Sequence, residues 1–218
     1  RPLDVEVNVV GSPRDQRRHP QLAQLSLDGN RLDAIERREE SLEIAQPLEA
    51  LRTYLRDEAS GEFWSTAFQP TLKQAEHYEA IFSEGRAEFR RRDFEFETHT
   101  EIVVSPEDDI EIRRVHITNR SRNPRAIDVT SYAEVVLAPP AADALHPAFS
   151  NLFVQTQLIR ERQAILCTRR PRSAGERPPW MMHLMTVHGA AVGTCSYETG
   201  RAEFIGRGRS IADPAAMY

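Results

Sequence analysis

Four aromatic residues and one proline-rich loop are the residues best suited to contact a ligand. Trp64, Trp180, Tyr54 and Phe149 carry flat faces of the kind that stack on the apolar side of a pyranose ring. The same rings serve equally well as core aromatics of a β-sandwich, the plainer account for Trp180. Trp64 follows a predicted hairpin turn, where the two accounts stand closer. The loop 146–151 (His146, Pro147, Ala148, Phe149, Ser150, Asn151) belongs to a stretch with three prolines, more than connectivity between strands requires. Long ordered loops are where binding usually sits. Its plainer account is a stiff connector that packs on a neighbouring domain. Trp64, His146, Phe149 and Asn151 are therefore the candidates for a carbohydrate-adjacent or domain-interface site.

Catalytic groups are harder to assemble. His77, His99, His116, His146, His183 and His188 are scattered, and no His–carboxylate couple is evident along the chain. His183 and His188 lie five apart without a flanking acid, which favours structural roles over metal ligation. Asp108 and Asp109 fall in a turn and Glu111 on a strand face expected to be exposed, positions more often solvated than catalytic. Only Glu134, among Tyr132, Ala133, Val135 and Val136, resembles a carboxylate held in apolar surroundings. No Walker-type phosphate loop or serine nucleophile elbow is present. No catalytic residue, cofactor or metal is expected.

These residues must be positioned by strands. Ile102–Val104, Ile110–Ile117 and Ile127–Leu137 are apolar or alternate with period two, and Ser105–Asp109 and Asn119–Pro124 divide them. That pattern predicts consecutive strands of an antiparallel sheet with one wetter face. Leu3–Val10 alternates and should be a strand stopped by Gly11. Tyr54–Asp57 and Glu62–Thr66 flank Glu58–Gly61, which reads as a hairpin whose glycine takes a positive φ. His77–Phe82, Leu152–Ile159 and Ala164–Thr168 are further strands. Trp180–Val187 reads as a strand buried on both faces, and Thr194–Glu198 with Arg201–Ile205 as a last hairpin. The prolines between Ala138 and Asn151 exclude regular structure over most of that stretch. Residues 206–210 read as a flexible or turn-rich exit.

Near 31–50 the character changes. Leu32, Ile35 and Leu42 recur at helical spacing among Arg and Glu, predicting a short helix or an irregular segment. Leu48–Leu55 fits helix or strand. The division this suggests is an atypical segment, 1–52, and a β-domain, 53–218.

Bulk properties narrow the function class. The formal charge is −5, and 28 of the 218 residues are basic, with Lys73 the one lysine. A mildly acidic chain is a poor nucleic-acid binder. Cys167 and Cys195 make no disulfide framework and no zinc site. No apolar run approaches the roughly 20 residues a membrane span needs.

The run Tyr54-Leu-Arg-Asp-Glu-Ala-Ser-Gly-Glu-Phe-Trp-Ser65 resembles the amino-terminal sandwich of the inverting sugar phosphorylases, the cellobiose and chitobiose phosphorylase family. So do Gln69–Thr71, His77–Ala87, Val115–Asn119 and His146–Val154, in the family's order. Within that group they look most like the phosphorylase-like region of bacterial cyclic β-1,2-glucan synthases. The resemblance covers about residues 53–216. It implies a mainly β, antiparallel, galactose-mutarotase-like supersandwich that precedes an (α/α)6 barrel carrying the catalytic aspartate. The expected partners are that helical barrel of the same polypeptide, β-1,2-glucan or an oligosaccharide, and a second copy of the chain, since unpaired sheet edges favour association. The setting implied is the cytoplasmic face of the bacterial inner membrane, within a larger membrane protein. Upstream of Thr53 the family's Trp-containing strands are not found, and the carboxy end stops short of its final strands, so the sheets should be incomplete.

Overall fold

The structure is a computed structural model and describes residues 3–11, 51–138, 140–171 and 173–218. The helix expected near 31–50 lies outside those residues. Among them, β-branched and aromatic residues at alternate positions build two antiparallel sheets that face each other.

The larger sheet has eight strands in the order β4-β5-β6-β7-β1-β11-β10-β9. They are β1 (Leu3–Gly11), β4 (His77–Ser83), β5 (Arg86–Asp93), β6 (Phe96–Val104), β7 (Ile110–Asn119), β9 (Val154–Ile159), β10 (Ala164–Arg169) and β11 (Trp180–His188). The smaller sheet, in the order β3-β2-β8, comprises β2 (Leu51–Asp57), β3 (Phe63–Ser65) and β8 (Ile127–Ala133). The amino-terminal strand is central: β1 pairs with β7 on one side and β11 on the other.

The two sheets meet over one core. Val5 and Val7 of β1, Val115 and Ile117 of β7 and Phe96 of β6 pack against Leu51, Leu55 and Trp64 of the smaller sheet. The opposite face of the smaller sheet is covered too. Tyr54, Phe63 and Tyr132 form a second core with Phe204, Ile205 and Met217 from the end of the chain. Coverage on both faces explains why nearly every residue of β2 is buried, and why Leu51–Leu55 settles as strand.

The predicted hairpin 54–66 is present: Leu55 faces Trp64, and Gly61 has φ +73°. Several expectations need correction. β8 follows β7 in sequence but leaves its sheet to pair with β2, because Ile127, Val129 and Ala133 serve the inter-sheet core from the other side. Its strand ends at Ala133, before the apolar Val135–Leu137. The proline-rich stretch is not irregular. It contains α1 (Pro140–Leu145) and α2 (Pro147–Asn151), each beginning with a proline. Proline is tolerated at the first helical position because its missing N–H would be unpaired there anyway. β11 is half-buried, not covered on both faces. The expected last hairpin is replaced by α3 (Arg201–Ile205), an amphipathic turn that drops Phe204 and Ile205 into the second core. The exit is ordered by a Ser210–Asp213 bridge and a 3-10 turn at Ala215–Met217.

Candidate functional site

The outer face of the larger sheet collects the chain's chemistry. Alternation along β1 turns Val5 and Val7 inward and leaves Asp4 and Glu6 on the far side. Register then builds rows across neighbouring strands. His188 of β11, Asp4 of β1, His116 of β7 and His99 of β6 stand opposite one another in sequence along one row. The next row carries Glu6, Arg114, Glu101 and Glu88. Asp4, Glu6, His99, Glu101, Arg114, His116 and His188 line an open depression of about 500 Å³.

Two histidines in it are oriented by carboxylates. His116 Nδ1 lies 2.6 Å from Asp4 Oδ1, and His99 Nε2 lies 2.8 Å from Glu88 Oε2. The His99 hydrogen bond, with help from the Arg86 guanidinium, holds the Glu88 carboxyl below the usual carboxylate range. Arg86 pairs with Glu88 at 3.0 Å and also with Glu101. A histidine held by a carboxylate can take up and release protons, while the surrounding acids and arginines can bond hydroxyl groups. Glu88, His99 and Glu101 also offer three donor atoms close enough to share a cation.

The His–carboxylate couples absent from the linear reading are thus made by the fold. Their partners lie 11 and 112 residues apart in the chain. For the first, Glu88 and His99 flank a tight turn at Phe94–Glu95 between paired strands, and locating that turn would have revealed the pair. No local signal announces the second.

The sequence-predicted candidates fall elsewhere. Trp64 is 1% exposed, packed against Phe94 and Phe96 with ring centroids 5.9 and 5.7 Å away. Its indole is core, so it presents no ring face to a sugar. Tyr54 is equally buried, whereas Trp180 opens β11 and is 37% exposed. His146, Phe149 and Asn151 are each exposed on the α1–α2 excursion. Phe149 is 55% exposed and rests edge-on against Phe153 at 5.1 Å. Glu134 is no pocket acid. It accepts hydrogen bonds from Tyr132 Oη at 2.7 Å and Arg201 Nε at 2.8 Å. Glu111 is paired with Arg113, which also donates to the Leu51 carbonyl at 2.6 Å. His183 bridges the sheets through Ser131 Oγ at 2.8 Å. Both cysteines are free thiols, and burial pushes Cys167 up to about 11.

Comparison with known proteins agrees with this architecture. A family model described as "Glycosyl hydrolase 94, supersandwich domain" matches residues 47–218. The chain is 36% identical over 164 residues to the cyclic beta-(1,2)-glucan synthase NdvB of Rhizobium meliloti (strain 1021), covering 75% of this chain and 6% of that protein. It is 27% identical over 165 residues to the solabiose phosphorylase of Paenibacillus borealis, covering 75% and 20% respectively. It is 33% identical over 93 residues to the N,N'-diacetylchitobiose phosphorylase of Vibrio furnissii, covering 41% and 12%. The chain spans a fifth or less of the length of each of these relatives. A mainly β, antiparallel fold of two facing sheets and a match over most of its length show that the chain belongs to the glycosyl hydrolase 94 supersandwich domain family.

Proposed function

We propose that this chain is the non-catalytic sandwich of a cyclic β-1,2-glucan synthase, and that it braces a phosphorylase-like helical domain. That domain would trim β-1,2-glucan with phosphate and so set ring size, at the cytoplasmic face of the inner membrane. The observation that supports this reading most is the family match over residues 47–218 together with the small share of each relative that the chain spans. Glu134, the one carboxylate that the sequence sets among apolar neighbours, is committed to Tyr132 and Arg201, in keeping with a supporting role. Among the described residues no helix is long and apolar enough to cross a membrane.

The test is phosphorolysis. The chain alone, given β-1,2-glucan and phosphate, should release no sugar phosphate, while a longer protein that adds the helical domain should. Sugar phosphate produced by the chain alone would overturn the proposal.

A second reading is direct saccharide contact, favoured by the depression where Asp4–His116 and Glu88–His99 stand side by side. This replaces a binding module built on Trp64, whose indole is buried. Calorimetric titration with β-1,2-gluco-oligosaccharides should give at least millimolar binding that His116→Ala weakens. Binding that survives His116→Ala but is lost in Phe149→Ala would place the contact on the 146–151 loop instead.

A further inference from the structure

We infer that Glu88, His99 and Glu101 form a binding site for one divalent transition-metal ion of the zinc class on the outer face of the larger sheet. Glu88 and Glu101 stand directly opposite each other on β5 and β6. Like charges so placed repel and favour a cation between them, a place the Arg86 guanidinium takes in this structure. His99 sits two residues from Glu101 and therefore on the same face. One donor atom from each of the three side chains lies within 4.8 Å of the others, a spacing that one ion can span.

The donor set selects the ion. An imidazole nitrogen with two carboxylates suits zinc, cobalt or manganese better than calcium or magnesium, which prefer oxygen throughout. Three protein ligands leave coordination positions open, and two of the three, His99 and Glu101, also line the neighbouring depression. All three ligands stand on adjacent hydrogen-bonded strands, a rigid base that costs little ordering on binding.

Arg86 is the competitor, since its guanidinium reaches both carboxylates. Its side chain is 41% exposed, however, against 13% for Glu88 and 25% for Glu101. The long, partly exposed arginine side chain can swing into solvent, whereas three ligands on one metal ion bind far more strongly. Arg90 lies 3.8 Å from Glu88 on the same side and competes more weakly. The ion therefore displaces Arg86, and His99 exchanges its hydrogen bond to Glu88 for a bond to the metal.

The experiment is calorimetric titration of the chelator-stripped protein with zinc chloride, with cobalt(II) absorption as the second readout. One ion per chain should bind, with visible cobalt bands of a mixed nitrogen–oxygen site. His99→Ala and Glu101→Gln should each weaken binding by about tenfold or more. Arg86→Ala should tighten it several-fold, and the loss in His99→Ala is what adsorption to surface acids would not predict. His116→Ala, outside the three ligands, should leave it unchanged. Absence of stoichiometric binding, indifference to His99→Ala and Glu101→Gln, weaker binding in Arg86→Ala, or loss in His116→Ala would each overturn the assignment. Circular dichroism of every variant separates a lost site from a lost fold.

Discussion

Arg91 and Asp93 face each other as a two-pronged ion pair inside the protein, with Nε 2.6 Å from Oδ2 and Nη2 2.9 Å from Oδ1. The Arg91 side chain has no exposed surface and that of Asp93 is 6% exposed. The same guanidinium donates to the carbonyls of Ala67 at 3.1 Å and Lys73 at 2.7 Å. It thereby ties the 66–76 loop to β5. Burial nonetheless pushes the Asp93 carboxyl above its usual range even with Arg91 beside it. The pair therefore recovers only part of its desolvation cost, and its contribution is to fix where the loop lies. Arg91→Met strands a buried carboxylate and frees two carbonyls, and should cost about 3–5 kcal/mol in urea unfolding. Arg91→Met with Asp93→Leu should cost clearly less than the two single changes added together.

His183 gives the protein a dependence on pH. Burial, reinforced by the positive charge of Arg113, lowers its pKa from 6.5 to about 4. The folded chain thus keeps the ring neutral where the unfolded chain already takes a proton. Protonation favours the unfolded state, so this contribution is intact above pH 6.5 and is lost as pH falls from 6.5 toward 4. The difference in pKa corresponds to about 3 kcal/mol across that window. Stability measured at pH 7.5, 6 and 5 should fall in the native protein more steeply than in His183→Gln. Parallel curves would refute the assignment.

The alternation of Val5 and Val7, or of Val115 and Ile117, could be read before any fold was known, because a half-buried strand writes its own period of two. Pairing between distant strands could not. Nothing in Ile127–Ala133 distinguishes a strand that continues the sheet of β7 from one that crosses to β2, since both need the same apolar face. The prolines at 140 and 147 misled for a local reason. They start helices, although proline within a helix would break it. Arg201–Ile205 fits a strand as well as a helix in sequence, because five residues are too few for either periodicity to show, and only Phe204 and Ile205 in the second core decide it. The chemical site was the least legible part. It arises from register between β1, β5, β6, β7 and β11, and register is a property of pairing that no single segment carries.

The carboxy-terminal residues act as core. Phe204 stacks on Tyr132 with centroids 4.4 Å apart and tilts against Tyr54 at 6.1 Å. Tyr54 Oη donates to the Ile211 carbonyl at 2.8 Å. Phe204→Ala should therefore cost about 3–5 kcal/mol, the usual range for deleting a buried aromatic ring. Tyr54→Phe, which removes only the hydroxyl, should cost about 1 kcal/mol. Guanidinium unfolding of the two variants, compared at equal denaturant slope, tests the order.

Among the described residues β4 and β9 are the edges of the larger sheet, and they differ in how they resist pairing. β4 carries Glu79, ion-paired to Arg90 at 3.5 Å, and the loop before it bonds to the sheet through Glu76 N–H and the Arg92 carbonyl at 2.9 Å. β9 reads Val-Gln-Thr-Gln-Leu-Ile, without charge or proline, and Gln155, Thr156 and Gln157 are exposed. Uncharged, uninterrupted edges invite another strand, and charged ones discourage it. A second copy of the chain should accordingly add along β9. Light scattering should show the mass rising with concentration, and Thr156→Lys should hold it at the monomer value while Glu79→Lys leaves the association in place. A monomeric mass across the whole concentration range would exclude pairing at this edge.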